Sequence, residues 1–531
     1  MSGGDPFDDP YDQALESLAA RGPGRMVPDL SRITALCELL GDPQHAFPSV
    51  HVTGTNGKGS VVRMVGALCA AAGLSAGTYT SPHLQTVRER LSLAGRPIAP
   101  SRFASLHAEV EQLAQLLDER ATTSEGAPGD PVTYFELLTA MAFAWFADVP
   151  VDVGVVEVGM GGTWDATNVL RGTVAVLTTI DVDHPQLGAT PAEVAREKLG
   201  IIEPHALVVS GPQTVEVQRA LREVVRKRKA TLWQHDGGGF GHLEVVERSV
   251  AVGGQLLTLR VGDREIDDIL LPLHGEHQAD NALVALGAFA ALTGESFTAM
   301  DDDVVRHGLG AVQVPGRLEV VHRAPTVLLD GAHNPHGAAA AAAAIEGSFD
   351  LDTVALVVAC LDDKDVDGIL HAFAELANHV VVTTAPSGRA ASLDRMVAAA
   401  EGVWRGTGVV IEATSDVQEA LAIAESLTGE GDGIVVAGSL TLVGAARDRY
   451  LPVDDAADDA ADAEVVRPED EDDADAVDDP LHEALDDLDG IDSLNQIAAD
   501  DEVELLRDEQ AFAEALEDLF DEDDPDDPAG R

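Results

Sequence analysis

Cysteine is almost missing from this chain. There are three in 531 residues, Cys37, Cys69 and Cys360, and no two form a C-x-x-C pair. That excludes a disulfide framework and a thiolate zinc site, and it fits a reducing compartment. Long apolar runs are missing too: no stretch of about 18 residues is apolar enough to span a bilayer. The acidic, polar start does not resemble a signal peptide. Both absences point to a cytoplasmic protein. Aromatic residues make up only 4% against 45% hydrophobic residues overall, so the cores must be built from Val, Leu, Ile and Ala. Positive charge is scarce, with 34 Lys and Arg against 93 Asp and Glu, a net charge of −59. Residues 451–531 alone hold 34 of the acids and 3 arginines. So acidic a surface repels nucleic acid and anionic membrane and excludes either as the main partner.

Lysine is rarest among the charged residues, at Lys58, Lys198, Lys227, Lys229 and Lys364 only. The first of these ends the most informative segment, Val50-His-Val-Thr-Gly-Thr-Asn-Gly-Lys-Gly-Ser60. A β-branched run enters a glycine-rich turn, and a helical stretch, Ser60–Ala72, follows. In such a loop, backbone N–H groups at Gly54, Thr55, Asn56, Gly57 and Gly59 crowd around a polyphosphate. Lys58 adds a point charge, and the helix presents its positive end. The Ser60 hydroxyl is placed for the Mg²⁺ that accompanies a nucleotide. The alternative is a ligand-free strand-to-helix turn.

Around this loop the pattern alternates strand and helix. Leu30–Leu40 is expected as an amphipathic helix and Pro48–Thr53 as the strand feeding the loop. Val151–Val158 and Val174–Ile180 read as buried parallel strands, with helices at Phe135–Ala147 and Pro191–Leu199. This predicts a doubly wound α/β sheet. From Leu243 to Val261 the alternation becomes that of a hairpin turning at Gly253-Gly254, followed by a helix over Gln278–Ala291. After a break near Gln313–Gly316 a second βα series runs through strands at Thr326–Leu329, Val354–Ala359, Val380–Thr384, Val409–Ile411 and Ile434–Ala437. It predicts a smaller Rossmann-like domain. The expected division is a flexible N-terminus (1–24), a P-loop-type ATPase domain (25–312), the Rossmann-like domain (313–452) and an acidic, largely disordered tail (453–531). Within the tail the segment Glu502–Phe520 has leucines and phenylalanines at roughly helical spacing; a solvating tail and a protein-docking helix are its two readings.

Nine motif groups occur in a definite order: Gly54–Ser60; Thr80-Ser-Pro-His83 with Glu89-Arg90; Tyr134-Phe-Glu136; Glu157-Val-Gly-Met-Gly-Gly162 with Asp165-Ala-Thr-Asn168; Asp183-His184; Glu197-Lys198; Asn281; Pro315-Gly-Arg317; and Asp330-Gly-Ala-His-Asn-Pro335. In this order the chain, over roughly residues 25–450, resembles the folylpolyglutamate synthase / dihydrofolate synthase family of Mur-type amide ligases. The resemblance implies an enzyme that adds L-glutamate to dihydropteroate, to a (tetrahydro)folate, or to both, through an acyl phosphate made with ATP. It implies two Mg²⁺ sites, with Ser60, Ser81, Glu157, His184 and Lys198, the last as a carbamate, as metal ligands. Lys58, Glu157, His184 and Lys198 would carry the chemistry. Asn281 would contact the base, Arg317 the phosphates and Asp330 the ribose, with His333 near the phosphates. Thr133, Tyr134, Phe135, Glu136, Trp164, Asp165 and Ala166 would face the pterin-bearing acid, and Lys364 and Ser439 the incoming amino acid. The chain departs from the family pattern in three places. Leu199 replaces a usual alanine, Thr163 a common basic residue, and the segment after His184 is one residue short.

Each residue also has a structural reading. Glu157 would be a buried acid paired with an arginine, Phe135 a core residue, Lys198 a helix-surface lysine and Arg317 a salt bridge at the domain border. For the whole chain, one alternative is a cell-wall Mur-type peptide ligase, which the roughly fifty residues before the loop are too few to support. A second is a catalytically silent nucleotide-binding scaffold. The expected partners are small molecules, with the protein acting as a monomer.

Overall fold

The computed structural model describes residues 9–22, 28–121, 130–182, 186–235, 241–455 and 458. Two sheets organise them. The first contains β1 (Ser49–Thr53), β2 (Ala76–Tyr79), β3 (Leu91–Leu93), β4 (Arg96–Pro97), β5 (Val153–Glu157), β6 (Val174–Leu177), β7 (Leu207–Ser210), β8 (Thr231–His235), β9 (His242–Ala251), β10 (Gly254–Val261) and β11 (Arg264–Leu271). Their order is β11-β10-β9-β8-β7-β6-β1-β5-β2-β3-β4. The central strands are parallel, and every residue of β1, β5 and β6 is buried. That is why these strands read as unbroken β-branched runs: helices cover both faces. The second sheet contains β12 (Glu319–Arg323), β13 (Thr326–Leu329), β14 (Val354–Val358), β15 (His379–Val382), β16 (Val410–Ala413) and β17 (Gly433–Ala437), in the order β12-β13-β17-β14-β15-β16.

Register sets the site. Val52 stands opposite Glu157 on one side of β1, and Thr53 stands opposite Leu177 on the other. The chain leaves β1, β5 and β6 at the same carboxyl edge, so the loops after Thr53, Glu157 and Leu177 share one crevice, where open α/β sheets bind ligands. The helix after β1 spans Lys58–Ala71, starting two residues before the expected Ser60 because Gly57, at φ 90°, already caps it.

The N-terminus differs from expectation. In place of a flexible segment over 1–24, residues 10–21 form a helix, Pro10–Arg21, capped by Asp9. Tyr11, Ala14 and Leu18 enter the core beside Phe103, and Arg21 pairs with Glu111 at 2.7 Å and Asp118 at 3.0 Å. Apolar residues three and four apart give this helix a face to bury. The expected hairpin at Leu243–Val261 gains a third strand, β11, paired antiparallel with β10. Residues 293–299, with the short helix Glu295–Ala299, fall outside the main compact unit. The segment Glu502–Phe520 lies outside the described residues. Among the described residues no helix is long and apolar enough to cross a membrane. The three cysteines are free and buried, and burial pushes each thiol up to about 12.

Candidate active site

The phosphate loop has the shape its glycines allow. Gly54 sits at φ 148°, where a Cβ would overlap Thr178 Oγ1, and Gly57 at φ 90°, where a Cβ would overlap Asn281 Oδ1. No side chain fits at either position. Thr55 is tied to the loop after β6: its Oγ1 donates to the Asp181 carbonyl at 2.6 Å, and its N–H to Thr179 O at 2.9 Å. Lys58 Nζ donates to the carbonyls of Gly54 (3.2 Å) and Thr55 (3.4 Å) and lies 4.0 Å from Glu157 Oε1. Lys198 is buried at the end of the helix Pro191–Lys198, and its Nζ donates to Gly54 O at 2.7 Å. This lysine is no helix-surface residue.

Glu157, at the end of β5, is buried and accepts from Ser81 N at 3.1 Å. Burial pushes its pKa up, and the neighbouring Lys58 pulls it down. Ser60 Oγ is buried with no hydrogen-bond partner among the described residues. An orphaned hydroxyl beside a desolvated carboxylate is costly unless a cation joins them. Their hard oxygens suit Mg²⁺, which takes one or two protein oxygens and completes its shell from phosphate and water. Among the described residues no group of three or more His, Cys, Asp and Glu could hold a metal, and His184 lies outside them.

One cavity of about 880 Å³ gathers nearly all the expected residues. Its wall includes Thr55 to Ser60, Ser81, Glu157 and Asn281 from the first sheet's side, and Arg317, Asp330, His333, Lys364 and Ser439 from the second. Asp330 accepts from Leu318 N at 2.9 Å and Ala332 N at 2.8 Å, and burial raises its pKa. Asn281 Nδ2 donates to Gln278 Oε1 at 3.1 Å, and His333 Nδ1 pairs with Gly331 O at 2.8 Å. Ser439 caps the helix Leu440–Tyr450, with its Oγ 2.8 Å from Thr441 Oγ1. The two sides meet where Asn334 Nδ2 donates to Asn56 Oδ1 at 3.0 Å.

The aromatic end of the cavity is formed by Phe135, Trp164 and Ala166. Trp164 is 47% exposed, unusual for so large an apolar face. Phe135 both lines the cavity and packs near Tyr79, with ring centroids 6.0 Å apart. Asp165 is fixed from behind, accepting from Met160 N (2.8 Å) and Thr167 Oγ1 (2.6 Å). Thr133 and Glu136 also line the wall, but they form a capping box, and Glu136 pairs with Arg32 at 3.1 Å. Tyr134 is set back, with its ring 5.5 Å beneath the Arg90 guanidinium. Thr163 faces Glu197 O at 3.1 Å. Sequence reasoning assigned no role to Arg32, His277, His336 or Arg389, which also line the cavity. Arg32, His277 and Arg389 have no local motif around them, and their only signal was the scarcity of positive charge; His336 directly follows the motif Asp330–Pro335, which was its signal.

Comparison with known proteins agrees with this arrangement. Residues 110–289 match the Mur ligase middle domain, and residues 316–440 match the Mur ligase glutamate ligase domain. The chain is 44% identical over 444 residues to the dihydrofolate synthase/folylpolyglutamate synthase of Mycobacterium tuberculosis, covering 80% of this chain and 90% of that one. It superposes on the folylpolyglutamate synthase of Mycobacterium tuberculosis complexed with ADP with a TM-score of 0.76 at 42% identity, covering 83% of this chain and 98% of that one. A folylpolyglutamate synthase complexed with AMPPCP and folate superposes with a TM-score of 0.70 at 28% identity, covering 83% and 99%.

Proposed function

The chain belongs to the folylpolyglutamate synthase / dihydrofolate synthase family of Mur-type ligases, and from that membership we propose that it joins L-glutamate to dihydropteroate, to a reduced folate, or to both, at the expense of ATP. One observation carries the reading: a single cavity holds a phosphate loop, a buried carboxylate beside an orphaned hydroxyl, and an exposed tryptophan face.

A carboxylate is a poor electrophile toward an amine. Phosphorylation by ATP turns it into an acyl phosphate, whose leaving group is orthophosphate. The loop N–H groups and Lys58 hold the triphosphate, and Arg317 reaches it from the other side with a planar donor fork. Asp330 takes the ribose and Asn281 the base. Ser60, Ser81 and Glu157 would hold one magnesium ion and His184 with a carbamylated Lys198 a second, and such ions would supply charge neutralisation at the transferring phosphoryl group. Phe135 and Trp164 receive the flat rings of the acid. Lys364 and Ser439 face the incoming glutamate. Because the walls come from two sheets, the intermediate is formed away from bulk water.

The test offers the purified protein ATP, Mg²⁺ and labelled glutamate with dihydropteroate, and then with tetrahydrofolate. Acid-dependent phosphate release with an amide product is expected, and oxygen-18 placed in the acid's carboxylate should appear in the orthophosphate. Phosphate carrying no label during turnover rules out the acyl phosphate, and no turnover with either acid rules out the function.

A further inference from the structure

The acidic segment does not part from the body where the last helix ends. Arg88 is 0% exposed, the largest of the fully buried side chains. Its Nη1 donates to Ile98 O at 3.0 Å, while its Nη2 reaches Asp455 and, at 2.8 Å, Asp458. Asp458 N donates to Asp454 O at 3.2 Å, and the two carboxylates, three positions apart, reach the same guanidinium. The carboxylates are partly in water, with side-chain exposures of 54% and 39%. A guanidinium this deeply buried is costly to leave without a carboxylate. Its partners lie 367 and 370 positions away in sequence.

What Arg88 belongs to gives the contact its meaning. It lies in the loop Ser81–Arg90, which supplies Ser81 to Glu157 at one end and Arg90 to the cavity wall at the other. Glu89 gathers the N–H groups of Leu84 (2.9 Å), Gln85 (2.8 Å) and Thr86 (2.9 Å), so residues 84–89 are held together as one piece. Leu84 packs on the second sheet's core, and Gln85 Nε2 donates to Asp448 at 2.6 Å and Leu451 O at 3.0 Å. The loop is thus gripped at Leu84 and Gln85 by the last helix and its end, and at Arg88 by the turn beyond it.

We propose that Asp455 and Asp458 are positioning residues of the ligase, fixing through Arg88 the part of the loop that sets Arg90, over the Tyr134 ring, at the acid-binding end of the cavity. The assignment rests on the ligase reading given above. It also moves the working boundary of the catalytic body past residue 452, so that the first turn of the acidic segment belongs to the enzyme.

The test uses the full chain carrying Asp455→Asn and Asp458→Asn together. KM for the pterin-bearing acid is expected to rise about tenfold, with kcat and KM for ATP within about twofold, because Arg90 is displaced while Ser81, held by Glu157, and the phosphate loop are not. Hydrogen exchange at Leu84, Gln85 and Thr86 should quicken, and the Asp455→Glu, Asp458→Glu pair should restore both readouts. In an Arg88→Met background the two asparagine substitutions should add nothing. Unchanged KM with unchanged exchange overturns the proposal, as does an equal further effect in the Arg88→Met background or a uniform loss of kcat and both KM values. If the unaltered protein ligates neither acid, the ligase reading fails, and the exchange measurement still decides whether these residues hold the loop.

Discussion

Lys198 and His51 show how individual side chains behind the loop matter. Lys198 Nζ binds the Gly54 carbonyl, so the side chain lies directly behind the phosphate loop. Lys198→Ala should abolish ligation and leave ADP affinity within about threefold, since the loop N–H groups that bind phosphate remain. Short carboxylic acids should partly restore turnover if a carbamate acts there; steady-state assays with and without formate or acetate check this, and near-normal turnover of the variant ends the carbamate role. His51, in β1, has Nε2 2.8 Å from Thr167 Oγ1, and burial pushes its pKa down to about 3. The folded protein keeps this ring neutral. Below the ordinary histidine value of about 6.5 the unfolded chain takes up a proton that the fold refuses. Its stabilising contribution is therefore complete above about pH 6.5 and falls by about 1.4 kcal/mol per pH unit below it, down to about pH 3. Glu157, Asp165 and Asp330, raised by burial, act oppositely: their contribution is lost as pH rises through their folded values. The comparison must therefore be with a variant. Between pH 7 and pH 5, His51→Gln should lose about 2 kcal/mol less stability than the parent in urea unfolding; equal losses would show that His51 does not set the slope. The His51 contact was not legible beforehand, because β1 reads the same whether or not His51 finds a partner 116 positions on.

Elements were more legible than their partners. β1, β5 and β6 fell within a residue or three of their expected limits because strands buried on both faces announce themselves as apolar runs. Arg264–Leu271 was missed because Asp267-Asp268 interrupts its alternation and the pairing of β10 with β11 slips between Leu257 and Leu259. The helix Pro10–Arg21 was missed because its acidic surround hid a narrow apolar face. At the level of one helix, Asn334 does two tasks. Its Oδ1 accepts from Gly337 N at 2.8 Å, capping the helix Pro335–Ser348, and its Nδ2 donates to Asn56 in the phosphate loop. Asn334→Ala should cost about 1 kcal/mol of stability from the lost cap and also weaken ATP binding. Asn334→Asp should keep the cap and lose only the ATP effect. Urea unfolding and nucleotide titration of both variants separate the two tasks, and identical behaviour would show that Asn56 gains nothing from its partner.

At the scale of the whole molecule, the ordered motifs made the catalytic plan legible, and the long-range pairings were not. Arg32 with Glu136 and Arg88 with Asp455 join residues 104 and 367 positions apart, and nothing local marks either pair. The two sheets have separate cores yet share one cavity wall. Calorimetry of the protein alone should therefore resolve two overlapping transitions. A non-hydrolysable ATP analogue with Mg²⁺ at about 100 times its Kd should add about 2.7 kcal/mol and merge them, since it binds only where both sheets are folded. A shift confined to one transition would mean that nucleotide is held by one sheet alone. The cavity's lining runs from Pro28 to Thr441. A nascent chain emerging from the ribosome therefore has no complete cavity wall until the helix Leu440–Tyr450 has been made.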